Sequence, residues 1–134
     1  MKTLITSILV VFACTAFAQS EILNVLDDQL EAFNDGDIDR LCNNISEDFI
    51  WYSVTEDSMY IEAQGVKAFR KGMKSYYIQF KGVKSEIVAY TISGNRVSFT
   101  EKITFYDKNG EKTRSSIGVY QIDDGKITRA WYFN

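Results

Sequence analysis

The chain has 134 residues, 46% of them hydrophobic and 25% charged, which suits one globular domain and leaves little room for a second. Its formal net charge is −3, so it lacks the concentrated positive surface that nucleic-acid binding needs. Histidine is absent, which removes Ser-His-Asp and Cys-His catalysis, imidazole metal ligation and histidine acid–base chemistry together. No metal site and no cofactor are expected.

Residues 1–18 carry the pattern of an export signal. Lys2 supplies a short positive start, residues 4–13 are apolar, and Ala16-Phe17-Ala18 forms a small-x-small cleavage site. The apolar run is too short to span a bilayer, which takes roughly 20 residues. A lipoprotein reading, with Val11-Phe12-Ala13-Cys14 as the lipid-attachment motif, is the weaker alternative because Phe12 suits it poorly. The expectation is therefore cleavage after Ala18, a secreted or periplasmic domain over residues 19–134, and no membrane insertion of the mature chain. Cleavage also removes Cys14. Cys42 then remains alone, cannot form an intrachain disulfide, and reads as a buried small hydrophobe.

Ser20 is a suitable helix N-cap, and Ile22, Leu23, Leu26, Leu30 and Phe33 recur at helical spacing as far as Asn34. Gly36 ends that helix and Asp37 caps a second, short one to about Asn43. Ser46-Glu47-Asp48 turns the chain into an aromatic, β-branched strand over residues 49–54. Residues 59–64 read as a short strand or a hairpin. A third helix follows over residues 66–80, with Lys67, Arg70, Lys71 and Lys74 on its solvated side. Residues 84–93, 96–106, 112–122 and 126–133 are four strands of an antiparallel meander. The pairs Gly94-Asn95, Asn109-Gly110 and Asp124-Gly125 between them tolerate the positive φ of tight turns. The class is α+β, one domain.

The run Leu30-Glu31-Ala32-Phe33-Asn34-Asp35-Gly36-Asp37-Ile38-Asp39 resembles the helix, N-x-G-D, helix opening of the NTF2-like superfamily. Ser46-Glu47-Asp48-Phe49 resembles its turn into the first strand, and Gly65-Val66-Lys67-Ala68-Phe69 the start of its third helix. Asp123-Asp124-Gly125-Lys126-Ile127-Thr128-Arg129 resembles the hairpin before its last strand. Within the superfamily the chain is most similar to SnoaL-like and ketosteroid-isomerase-like proteins. That resemblance implies a cone: about three N-terminal helices on a strongly curved, mostly antiparallel sheet, enclosing an apolar pocket. It also implies homodimers packed through their sheets.

The same resemblance puts catalysis in doubt. Ketosteroid isomerases carry a tyrosine, an aspartate base and a further acid at positions that fall here on Gln29, Ser53 and near Gly118. Serine is no base near pH 7, and glycine offers only its backbone N–H. Polyketide cyclases and dehydratases of this fold use a pocket aspartate or an Asp–His pair, of which the pair is impossible without histidine, and no match exists for the Asp-Arg-Asp set of epoxide hydrolases. One carboxylate remains. Strand alternation puts Val97, Phe99, Glu101, Ile103 and Phe105 on one face, so Glu101 interrupts an apolar row. Facing the pocket it would be desolvated and able to move a proton. Paired with Arg114 or Arg129 on a neighbouring strand, or turned outward by a bulge, it would be structural.

By the same alternation Arg114, Ser116, Gly118, Tyr120 and Ile122 share a face, and Trp51 lies on the Ser53 face. Tyr76, Tyr77, Trp131 and Tyr132 are further aromatic candidates. The expected pocket residues are thus Gln29, Trp51, Ser53, Phe99, Glu101, Ile103, Arg114, Gly118, Tyr120 and Tyr132. Three functions compete: binding of a small apolar or aromatic molecule without catalysis, a SnoaL-like isomerase, cyclase or dehydratase with Glu101 as base, and sheet-mediated association. The missing catalytic positions favour the first and third over the second.

Overall fold

The structure is a computed structural model that describes the backbone of residues 2–133 and the side chains of residues 17–133. Its elements in chain order are α1 (Lys2–Asp35), α2 (Ile38–Asn43), β1 (Ile45–Val54), β2 (Met59–Gln64), α3 (Gly65–Gln79), β3 (Lys81–Ser93), β4 (Arg96–Asp107), β5 (Gly110–Asp123) and β6 (Lys126–Phe133). The helices lie on a six-stranded sheet of order β2-β1-β6-β5-β4-β3, antiparallel except where β1 runs parallel to β6. The sheet is not closed. β2 and β3 are its edges, with α1 packed against β3 and α3 across β1 and β2.

Along α1 the residues Ile22, Leu26, Gln29 and Ala32 are buried, a spacing of three and four that holds one face of a helix on the sheet. The helix is continuous through Ser20, which therefore caps nothing; the expected start at that residue is corrected. The side chains of the apolar segment before it, Cys14 included, lie outside the described residues, and so does the expected cleavage pattern apart from Phe17 and Ala18. At the other end Gly36 takes φ +68°, a conformation that costs glycine nothing, and Asp37 then accepts a hydrogen bond from the Arg40 N–H at 3.0 Å to start α2.

β1 begins at Ile45, earlier than the alternation predicts. Residues 46–48 form an irregularity in the ladder to β6, rather than a turn before the strand. A second irregularity lies between Ile87 and Ala89, and a third between Trp51 and Tyr52. The core joins Leu41, Ile45, Phe49, Phe69, Met73, Val97, Phe99, Ile122 and Ile127 between the helices and the inner face of the sheet. Cys42 is buried with them, and burial pushes its thiol above the ordinary range.

Two polar anchors tie the helices down. Arg40 donates through Nε to Asp28 Oδ1 at 3.0 Å and through Nη2 to Glu31 at 2.9 Å. Asn44 Nδ2 donates to Asp28 and, at 3.0 Å, to Gln29 Oε1. Asn44-Ile45-Ser46 has the form of an N-glycosylation sequon, and its amide nitrogen is committed to these two bonds, which an attached glycan would break.

Candidate functional site

The register of the sheet stacks the inward side chains in rows. Trp51 pairs with Ala130, Ala130 with Tyr120, and Tyr120 with Val97. The next row is Ser53, Tyr132, Gly118 and Phe99, followed by Ser116 opposite Glu101, then Arg114 opposite Ile103. Rows two residues apart rise roughly 6.6 Å, so about 20 Å of strand separates the Trp51 row from the Arg114 row.

Between these rows and the helices lies a cavity of about 670 Å³, within the range of small-molecule sites. Leu26, Leu30, Phe33, Leu41, Phe49, Phe69 and Met73 form its apolar roof and floor. The sheet contributes Trp51, Ser53, Ile87, Phe99, Glu101, Ile103, Arg114, Ser116, Tyr120 and Tyr132, and α1 contributes Gln29. Nine of the ten residues expected from the sequence therefore line one cavity. Gly118 does not. The Phe99 ring lies directly across it, so that a Cβ at residue 118 would stand 2.3 Å from Phe99 Cζ. The glycine shapes the wall by letting an aromatic ring close on the backbone.

Glu101 is 7% exposed and accepts hydrogen bonds from Ser85 Oγ at 2.7 Å and Ser116 Oγ at 3.0 Å. Burial raises its pKa, and the two serine hydroxyls oppose the rise without cancelling it. The expected arginine pairing is not formed. Arg129 Nη1 donates to the Asp48 carbonyl at 2.9 Å, and the Arg114 guanidinium stands 5.1 Å from the centroids of both Phe80 and Phe105. Nor does a bulge turn Glu101 outward.

Tyr120 and Tyr132 share a hydrogen bond of 2.7 Å between their hydroxyls, and burial raises the pKa of each well above that of free tyrosine. Trp51 packs edge-on to Tyr132 and Phe69, and its buried indole Nε1 has no hydrogen-bond partner among the described residues. The residue lines the cavity, while the nitrogen itself is buried. Two other aromatic candidates fall elsewhere. Tyr77 donates its hydroxyl to the Phe33 carbonyl at 2.7 Å, outside the lining, and Trp131 stacks on Tyr52 on the outer face of the sheet. Neither is among the expected pocket residues, and the register of β6 keeps Trp131 on the face away from Tyr132.

Ser85, Phe33, Ile87, Phe69, Met73 and Glu62 were not anticipated in the lining. Ser85 and Ile87 had a signal, since they alternate with the charged Lys84 and Glu86. The helix residues had none beyond apolar spacing, which marks burial without saying against what. The lining holds Glu62 and Glu101 but no aspartate. Among the described residues no three metal-ligating side chains of the Cys, Asp and Glu types gather.

An open, mostly antiparallel sheet with three helices on its inner face and an apolar cavity between them defines an α+β protein of the NTF2-like type. The SnoaL-like domain model matches residues 26–130, and the chain belongs to that family. Solved structures agree in fold. An uncharacterised cystatin-fold protein from Novosphingobium aromaticivorans superposes with a TM-score of 0.72 at 17% identity, covering 84% of this chain and 97% of its own. An LEH-like epoxide hydrolase of M. tuberculosis gives 0.70 at 18% identity over 85% of this chain and 82% of its own. TerC, co-crystallised with polyporic acid, gives 0.72 at 15% identity over 84% of this chain and 89% of its own. No curated protein sequence matches the chain.

Proposed function

We propose that this protein binds a small apolar or aromatic molecule in its cavity and acts as a carrier or receptor without turning it over. The observation that supports this best is the cavity of about 670 Å³ walled by aliphatic and aromatic side chains with a few inward polar groups. The positions that carry chemistry in ketosteroid isomerases are Gln29, Ser53 and Gly118 here. Gln29 accepts from Asn44, and Gly118 lies under Phe99. In this reading residues 1–18 direct export and are cleaved after Ala18. The outer face, where Tyr52 stacks on Trp131 near the exposed Ile117 and Phe133, pairs with a second copy.

Native mass spectrometry of the protein purified from the exported fraction of its own host tests the reading. The expected spectrum gives a chain beginning at Gln19, a dimer mass, and an added small-molecule mass that is lost on denaturation. A pocket that stays empty in that spectrum, and that takes up no compound from a hydrophobic small-molecule panel, overturns ligand binding.

The second reading is catalytic, and Glu101 supports it: a buried carboxyl in the cavity wall whose pKa is raised by desolvation has the character of a proton-transfer group. It predicts isomerase, cyclase or dehydratase turnover of a bound compound that falls by about 10²-fold or more in Glu101→Gln. Unchanged turnover in that variant removes Glu101 as the base.

A further inference from the structure

The five arginines of this acidic chain differ in one respect. Arg40 is paired with Asp28 and Glu31, Arg70 with Asp39, and Arg129 with Asp48. Arg96 donates twice to Gln121 Oε1, at 3.2 and 3.0 Å. Arg114 has no carboxylate partner among the described residues, yet it lines the cavity. Its side chain is exposed, so it sits at the cavity's opening, and the Phe80 and Phe105 rings hold the guanidinium from beneath. Tyr76, also in the lining, has its phenol pKa raised by burial and drawn back down by the neighbouring Arg114 charge.

The two carboxylates of the lining do not neutralise this cation. Glu101 sits one row deeper with its oxygens taken up by Ser85 and Ser116, and Glu62 belongs to β2 at the opposite edge of the sheet from β3. A guanidinium fixed on two rings at the mouth of an apolar cavity is built to receive a planar anion, since its N–H fork matches a carboxylate in two parallel hydrogen bonds. Inward from it, past the hydrogen-bonded Glu101–Ser85–Ser116 group and Ser53, the walls are otherwise aliphatic and aromatic as far as Trp51, about 20 Å of strand away.

We infer that the ligand is an amphipathic monocarboxylate, its carboxylate docked on Arg114 beside the Tyr76 hydroxyl and its apolar body running inward past Phe99 and Tyr132. This rests on the ligand-binding reading and adds the charge and the orientation of the ligand. The cavity alone would accept neutral molecules equally well; Arg114 is what discriminates.

The test compares 6-(2-naphthyl)hexanoic acid with its methyl ester by titration calorimetry at pH 7.5, on the full-length protein and on Arg114→Met and Arg114→Lys. The expected result is that the acid binds the wild type about tenfold to a hundredfold more tightly than the ester. Arg114→Met loses that preference while holding ester affinity within about threefold, and Arg114→Lys keeps part of it. Equal binding of acid and ester by the wild type overturns the inference and leaves the cavity reading standing. So does an acid preference that survives in a folded Arg114→Met. Failure of both compounds to bind the wild type counts against the cavity reading itself, and this inference falls with it.

Discussion

Asn34 reads the backbone of Ser85 as a neighbouring strand would. Its Oδ1 accepts from the Ser85 N–H at 2.7 Å and its Nδ2 donates to the Ser85 carbonyl at 2.9 Å. A side-chain amide has one acceptor and one donor group at the right spacing, so it satisfies both polar groups of an edge-strand residue across 51 positions of sequence. Ser85 in turn donates its hydroxyl to Glu101. The end of the first helix is thereby tied to the polar spot of the cavity wall.

Replacing Asn34 by Ala leaves the Ser85 N–H and carbonyl without partners at a half-buried place. The expected loss is about 1–3 kcal/mol of unfolding free energy in urea. Asn34→Asp keeps the acceptor, loses the donor, and falls between. A change under about 0.5 kcal/mol for the alanine variant would mean that water replaces both bonds without cost.

The raised pKa of Glu101 makes a signed prediction about pH. A carboxyl that holds its proton more tightly when folded binds more protons in the native state than in the unfolded one, so stability decreases as pH rises. The decrease starts near the ordinary glutamate pKa of about 4.3 and ends above the raised native value. In Glu101→Gln this slope should vanish, and the variant should gain on the wild type towards pH 8. Two stability-against-pH curves that run parallel would falsify the assignment.

Gly118→Ala forces the new methyl group against the Phe99 ring, which in turn packs on Tyr120 with centroids 4.8 Å apart. Overpacking of this kind costs about 1–3 kcal/mol. Phe99→Leu should recover part of the loss when combined with Gly118→Ala, giving a coupling of at least about 0.5 kcal/mol in a double-mutant thermal-melt cycle. Additive effects would show that the backbone yields instead of the ring.

Cys42 should be inert to Ellman's reagent in the folded protein, because burial both hides the sulfur and disfavours its thiolate. Labelling in rising urea should follow the unfolded fraction measured by circular dichroism. Rapid labelling without denaturant would reveal local opening around α2.

How much of this was legible in the sequence depends on the range of the interaction involved. Strand alternation placed Phe99, Glu101 and Ile103 on one face, because side chains in a strand point alternately whatever lies beyond it. Gly36 and Asp37 marked a helix end and a helix start through backbone conformations and caps that involve only a few neighbouring residues. The ordered motifs across residues 30–129 carried the family. The pairing of Glu101 was a different matter. Arg114 and Ser116 lie on the same face of the same strand, and nothing local decides which one meets a carboxyl on the next strand; the ladder register, Glu101 opposite Ser116 and Ile103 opposite Arg114, decided for the serine.

The sequence by itself determined most of the elements, which residues of a strand share a face, and the absence of histidine chemistry, since each follows from composition or from periods of two and 3.6 residues. The tertiary structure alone decided that Trp131 faces out, that Phe99 covers Gly118, that Ser85 reaches Glu101 and that Arg114 is left with rings instead of an acid. Each of those depends on register and on irregularities between strands far apart in sequence. A shift of one residue in pairing would exchange the two faces of the shifted strand and take its inward side chains out of the cavity.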